Sequence, residues 1–283
     1  MRRRDFLTAS LASAAIPYTA LAGGKTKSAH DVITLGPAGV KVSRLAMGTG
    51  SSGFGGSSNQ TRQLGLGGIA DLFRFGYDEG VRFWDSADQY GSHPHLKAAL
   101  RNVPREKVAI LTKTHASTEA EMRADLDRFR REIGADYLDI VLLHCMLDQN
   151  WPAKKQGAMA VLSEAREKGI VRTHGVSCHT LEALQTAART PWVQVDLARI
   201  NPAGLHMDAA PQTVISVLRE MKAAGKGVIG MKILGQGDLR NRIDEAIEFA
   251  LSQDCVDCFT IGAESRQELG DLMRRIPAAS SRT

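Results

Sequence analysis

The chain has 283 residues, 43% hydrophobic and 24% charged, with a formal net charge of +5. These are ordinary values for a globular protein, and the length can bury one large core, as barrel domains of about 250 residues do. Removing the three arginines and one aspartate of the first 22 residues lowers the charge from +5 to +3. So small a surplus argues for neither a nucleic-acid binder nor a protein of the membrane surface.

Met1-Arg2-Arg3-Arg4-Asp5-Phe6-Leu7, followed by the apolar run from Thr8 to Ala22, has the layout of a secretory signal. Arg3-Arg4-x-Phe6-Leu7 resembles the twin-arginine signature, and Ala20-Leu21-Ala22 offers a small-residue cleavage site. A short uncleaved anchor is the rival. Its apolar stretch falls below the roughly 20 residues that span a bilayer, and Pro17 interrupts it. The expectation is a signal over 1–22, a linker over 23–31, a folded unit over 32–276 and a tail over 277–283. The export machinery is then a partner, the destination is periplasmic or exported, and no membrane association follows cleavage.

Val32 to Val42 reads as a hairpin turning at Gly36-Pro37-Ala38-Gly39. Short apolar runs then predict strands at 44–48, 81–85, 107–112, 138–143, 171–176, 193–200, 227–231 and 257–261. Helical patterns lie between them. In 118–133, Met122, Leu126, Phe129 and Ile133 make one helical face. Thr118 with Glu121, and Ser265 with Glu268, are capping-box pairs, and Gly80, Gly169 and Gly225 suit left-handed helix ends.

Eight strands, each followed by a helix, predict an α/β fold: a single-domain (β/α)8 TIM barrel preceded by a β-hairpin. Gly48-x-Gly50-x-x-Gly53 matches a dinucleotide fingerprint in letters only. No helix opens at its third glycine, and no acid ends the next strand at the required distance. The open-sheet reading is rejected.

In a barrel, chemistry sits where strands end. The second, third and fourth strands end at Asp85, Lys113 and His144, and Tyr90 follows Asp85 by five residues. Singly, each is more often a turn former, an end cap or a packed ring. Together they place an acid, an ammonium, an imidazole and a phenol on one rim.

Phe83-Trp84-Asp85-Ser86-Ala87-Asp88-Gln89-Tyr90-Gly91 is similar to the strand-two signature of the aldo-keto reductases. Leu111-Thr112-Lys113 resembles that family's lysine strand and Asp139-Ile140-Val141-Leu142-Leu143-His144 its histidine strand. The likeness runs from about Val32 to about Ile276. It implies an oxidoreductase that reduces an aldehyde or ketone with NADPH or NADH, with Asp85, Tyr90, Lys113 and His144 as catalytic residues. Lys113 would ease proton transfer from Tyr90, Asp85 would hold Lys113, and His144 would orient the carbonyl oxygen.

The same resemblance places Gly48, Thr49, Ser177, Cys178, Lys232, Leu234, Gly235, Gly262, Ser265 and Arg266 at the cofactor. Cys178 stands where the family usually has Asn, Leu197 where Gln is common, and Lys232 where Ser is common. Glu264 stands where a neutral or basic residue is usual, which bears on the choice between the two nicotinamides.

Two histidine sets, His93 and His95 with His115, and His144-Cys145 with Cys178-His179, raise a metal-dependent hydrolase as the alternative. Neither has a carboxylate pair to complete it, and no metal is expected. A catalytically weak binding protein on a reductase scaffold is the third class. Cys255-x-x-Cys258 reads as a strand-edge pair, free or oxidised. Phe54, Trp84 and Trp151 are the candidate apolar lining of the pocket.

Overall fold

The computed structural model describes residues 26–282. The predicted signal over 1–22 lies outside them. A hairpin of β1 (Val32–Leu35) and β2 (Val40–Ser43) comes first. Eight parallel strands follow: β3 (Leu45–Gly48), β4 (Phe83–Asp85), β5 (Ala109–Thr114), β6 (Leu138–Met146), β7 (Val171–Cys178), β8 (Val195–Arg199), β9 (Gly227–Met231) and β10 (Cys258–Gly262). They run around the barrel in chain order, and β10 pairs β3 to close it. The predicted (β/α)8 barrel and its leading hairpin are both present.

Nine helices among the described residues clothe or connect the strands: α1 (Asn59–Asp78), α2 (His93–Leu100), α3 (Glu119–Ile133), α4 (Trp151–Lys154), α5 (Gln156–Glu167), α6 (Leu181–Arg189), α7 (Pro211–Ala223), α8 (Ile243–Ser252) and α9 (Arg266–Ser280). The face predicted for α3 is the buried one, and Thr118 and Glu121 close its capping box. Ser265 caps α9 by accepting from the Glu268 N–H, while the Glu268 carboxylate accepts from the Glu264 N–H one residue further out than expected. Gly80, Gly169 and Gly225 all take left-handed φ, as their places after helices require.

The second barrel strand is shorter than the apolar run suggests. The Val81 N–H returns to Gly76 O at the end of α1, so Val81 and Arg82 belong to the turn. The core divides in two because strand side chains alternate. Leu111, Leu142, Leu197 and Ile229 fill the barrel, and the hairpin's Leu35, Val40 and Val42 belong to that same inner cluster. A larger shell, including Trp84, Phe129 and Val141, packs between strands and helices. Among the described residues no helix is long and apolar enough to cross a membrane.

Candidate active site

Alternation along the strands decides which polar groups share the barrel mouth. In β4, Phe83 faces the barrel interior and Trp84 the outer shell, so Asp85 turns inward at the strand's end. In β5 the inward Leu111 is followed two residues on by Lys113, and in β6 the inward Leu142 is followed by His144. Tyr90 closes a short 3-10 turn (Asp88–Tyr90) that brings its ring back beside Lys113. The four predicted groups converge.

The Lys113 ammonium is the centre of this corner. It donates to Asp85 Oδ1 at 2.5 Å and to Ser86 O at 2.7 Å. It lies 4.9 Å from the centre of the Tyr90 ring and within hydrogen-bonding reach of the hydroxyl. Thr260 Oγ1, from the inward face of β10, donates to the other Asp85 oxygen at 2.9 Å. Burial pulls Lys113 down, but Asp85 and Tyr90 more than offset it, and the ammonium is held above its ordinary value.

Tyr90 differs from expectation. Burial raises the phenol above its ordinary value and outweighs the downward pull of Lys113, with Asp85 adding to the rise. The resting group is therefore a firmly protonated phenol, the form a general acid needs. Its ring lies against the loop after β3: a methyl group on Gly50 or Gly53 would come within 2.3 or 2.4 Å of ring carbons. Two glycines of the discarded fingerprint thus leave room for the Tyr90 ring.

His144 is buried, and desolvation followed by the charge of Lys113 holds its imidazole well below the ordinary value. It is a neutral hydrogen-bonding group at physiological pH. Its ring meets Tyr90 edge-on at 5.8 Å and stacks on His115 at 4.9 Å, and His115 is held in turn by Gln89 Oε1. Neither Thr260 nor His115 is placed in this corner by the sequence reading. The two-residue period of β10 beyond Cys258, and of β5 beyond Lys113, is the signal that could have found them.

The cofactor-side residues are less uniform. Gly48 ends β3 and Thr49 follows it, its N–H and hydroxyl both donating to Asp85 O. Ser177 is buried, its Oγ accepts from the Cys145 N–H, and among the described residues no acceptor for its own proton is seen. Cys178 faces the outer shell against Asp196, with Sγ 3.7 Å from Oδ1. The side-chain role expected of Cys178 at the carboxamide is withdrawn, because alternation after Ser177 turns it away. Leu197 belongs to the apolar barrel interior, so that position offers no amide either.

The anionic end suits a dinucleotide better. Lys232 is half-buried, has φ of +57°, and forms no ion pair among the described residues. Leu234 and Gly235 begin a tight turn in which Gly235, Gln236 and Gly237 all have positive φ. Gly262 lies under Ser51 and Gln60, and Ser265 caps α9. Arg266 is exposed over the Phe75 ring at 5.7 Å, beside the positive end of α9. Lys232, Arg266 and the α9 terminus fit phosphate groups, and Ser177 fits one side of a carboxamide.

Of the two histidine and cysteine sets, Cys145 and His179 meet beside His144 while Cys178 faces away, and the His93 set does not assemble. His93 is buried between Glu132, at 2.9 Å from Nδ1, and Thr112, at 2.7 Å from Nε2. Asp88, His93 and Glu132 could together hold a cation, but the Arg128 guanidinium bonds both carboxylates and supplies the positive charge. Trp84 packs edge-on to Phe73 and Trp151 is buried with its N–H on Ala183 O, so neither lines a pocket. Phe54 is 80% exposed on the loop after β3. Cys255 and Cys258 are free thiols, one in the outer shell and the other inside the barrel.

Comparison with known proteins agrees with this geometry. Residues 45–276 match the model of the aldo/keto reductase family. An aldo-keto reductase of Mycobacterium avium is 34% identical over 155 residues, covering 48% of this chain and 51% of the relative. In such pairs the match spans about half the length of the curated relative. A Schizosaccharomyces pombe protein named NAD/NADP-dependent indole-3-acetaldehyde reductase is 26% identical over 82% of this chain and 76% of its own. A Pseudomonas aeruginosa aldo-keto reductase structure superposes with a TM-score of 0.74 at 22% identity, over 89% of this chain and 98% of that one. Reduced nicotinamide, NADPH or NADH, is the cofactor of such enzymes. With the barrel, the four converging groups and a family match along most of its length, the chain belongs to the aldo/keto reductase family.

Proposed function

We propose that the protein reduces an aldehyde or ketone to the alcohol, with Tyr90 as general acid. The observation that carries this reading is the Lys113 ammonium clasped by Asp85 within reach of the Tyr90 hydroxyl. When bound, the nicotinamide supplies hydride to the carbonyl carbon. Tyr90 delivers the proton to the carbonyl oxygen, and Lys113 stabilises the phenolate left behind. Neutral His144 donates a hydrogen bond that orients that oxygen. Ser177, Lys232 and Arg266 would hold the dinucleotide. Tyr90→Phe is expected to lower turnover by on the order of 10²–10⁴, the usual worth of a general acid, while dinucleotide affinity measured by fluorescence stays the same. Near wild-type reduction by that variant would sink the reading.

The loss of two amide positions, at Cys178 and Leu197, supports a second reading, a binding protein on a reductase scaffold. Titration with NADH and NADPH separates the two, since binding without turnover of any carbonyl supports only the second. We further propose export through the twin-arginine route to the periplasm, on the strength of Arg3-Arg4-x-Phe6-Leu7. Arg3→Lys with Arg4→Lys should then retain the protein in the cytoplasm on cell fractionation. An unchanged distribution would overturn it.

A further inference from the structure

The sixth strand is irregular where the site needs it. The β6–β7 register shifts between Leu143 and Met146, and Cys145 takes φ of +62°. A regular strand would send His144 inward and Cys145 outward beneath the helices, as it does Leu143. The shift lets consecutive residues both reach the mouth, and Met146 resumes the outward direction. Cys145 Sγ lies 3.1 Å from His179 Nδ1, and the Cys145 N–H is fixed on Ser177 Oγ at 3.0 Å. A thiol and a base therefore stand next to the imidazole that orients the carbonyl.

We propose that Cys145 and His179 form a second carbonyl-reactive site in the barrel mouth, one that captures aldehydes reversibly as hemithioacetals. The electrophile is identified by the carbonyl-reductase reading, on which this inference rests. His179 Nδ1 takes the Sγ proton as sulfur attacks the carbonyl carbon. The π pair of the carbonyl moves to oxygen, which receives the proton. One S–H bond and one carbonyl π bond are exchanged for S–C and O–H bonds, and nothing is oxidised or reduced.

The charge states require a concerted step, because a protonated thiol gives its proton to a weakly basic imidazole only as the S–C bond forms. Burial holds the Cys145 thiol above its ordinary value although Arg199 and Lys232 oppose it, so the resting sulfur keeps its proton. Burial, then Arg199 and Lys232, lowers His179 to about 4, which leaves a neutral imidazole free to accept. Cys145 is half-exposed, whereas Cys178, Cys255 and Cys258 are buried. Aldehydes are favoured over ketones because thiol addition to a ketone carbon is weaker and more crowded. Each aldehyde entering the mouth then meets two competing fates, reduction or storage on sulfur.

The test uses the purified full chain without dinucleotide, so that capture is read apart from turnover. Carbon NMR with carbonyl-labelled butanal should show a protein-bound hemithioacetal, absent in Cys145→Ser and absent with labelled butanone. Iodoacetamide should label Cys145 at least about tenfold faster than the three buried thiols, butanal should slow that labelling, and His179→Asn should reduce its rate. Tyr90→Phe should still capture butanal, which separates this site from the reduction chemistry. A wild-type spectrum with no bound species, the same signal in Cys145→Ser, or labelling no faster than at the buried thiols would each overturn the proposal.

Discussion

Two sides of the barrel differ in how their polar groups are matched. On the β4–β5 side, both Asp85 oxygens have partners, Lys113 donates twice, and Thr260 closes the set from β10. On the β7–β8 side, buried polar atoms go unmatched: Asp196 Oδ2 and Asp208 Oδ2 have no partner among the described residues. The side that holds Asp85 and Lys113 is fixed by direct bonds before any ligand arrives. The side proposed for the nicotinamide offers Ser177, with Cys178 turned away and Leu197 apolar, and its spare polarity lies behind the strands, where Cys178 meets Asp196. Chemistry and cofactor affinity are thus separable properties here, and substitutions on the two sides should report them separately.

The largest effect is expected on the matched side. Lys113→Met should lower turnover by about 10²–10⁴, comparable to loss of the acid itself. It should also destabilise by about 3–5 kcal/mol, because Asp85 is left buried without its counter-charge. Adding Asp85→Asn should recover much of that stability and none of the activity. Alcohol oxidation, which needs the phenolate, gives a further readout: its alkaline limb should move to higher pH once Lys113 no longer pulls the Tyr90 proton off. Activity that returns together with stability in the double variant would show the pair to be structural only.

A smaller effect is expected behind β8. Burial, followed by the neighbouring Asp208, raises Asp196 from 3.8 to about 8. The folded state therefore binds a proton that the unfolded state releases above about pH 4. Stability contributed by that proton is full at low pH and is lost progressively as pH rises toward 8, the reverse of a salt-bridged aspartate. Asp196→Asn removes the ionisation, so the variant should gain on the wild type as pH rises from 5 to 8. The gain should be on the order of a few kcal/mol, each worth about 2–4 °C in melting temperature. Parallel melting temperatures across that range would show that Asp196 does not titrate there.

The legible part of this protein is what alternation and strand ends encode. Asp85, Lys113 and His144 were readable because each closes an apolar strand, and Tyr90 because of its motif. The misreadings come from the same period. Trp84 sits between two inward residues and so faces the helices, and Cys178 follows an inward serine and does likewise. The bulge at Cys145 was not legible, since nothing in Leu143-His144-Cys145-Met146 distinguishes a shifted strand from a regular one. Nor was the net rise at Tyr90, which depends on how far the folded loop after β3 removes the hydroxyl from water.

The smallest effect concerns which nicotinamide is preferred, and it turns on Glu264. This carboxylate does not point freely into solvent: Asn59 Nδ2, at the start of α1, donates to Glu264 Oε1 at 2.9 Å. It is held at the end of β10, where the family places the adenosine ribose, and a fixed carboxylate there repels a 2′-phosphate while accepting from a free 2′-hydroxyl. Arg266 opposes it, but its guanidinium lies over Phe75, so turning toward a phosphate costs that contact. We propose that this balance favours NADH relative to NADPH. Glu264→Lys should shift the ratio of the two dissociation constants toward NADPH by roughly 1 kcal/mol or more, about fivefold, the low end for a charge-assisted contact. Glu264→Gln should give a smaller shift in the same direction, since it removes the charge and can keep an oxygen for Asn59. Fluorescence titration with both coenzymes reads the ratio directly, and a ratio unchanged in both variants would remove Glu264 from cofactor selection.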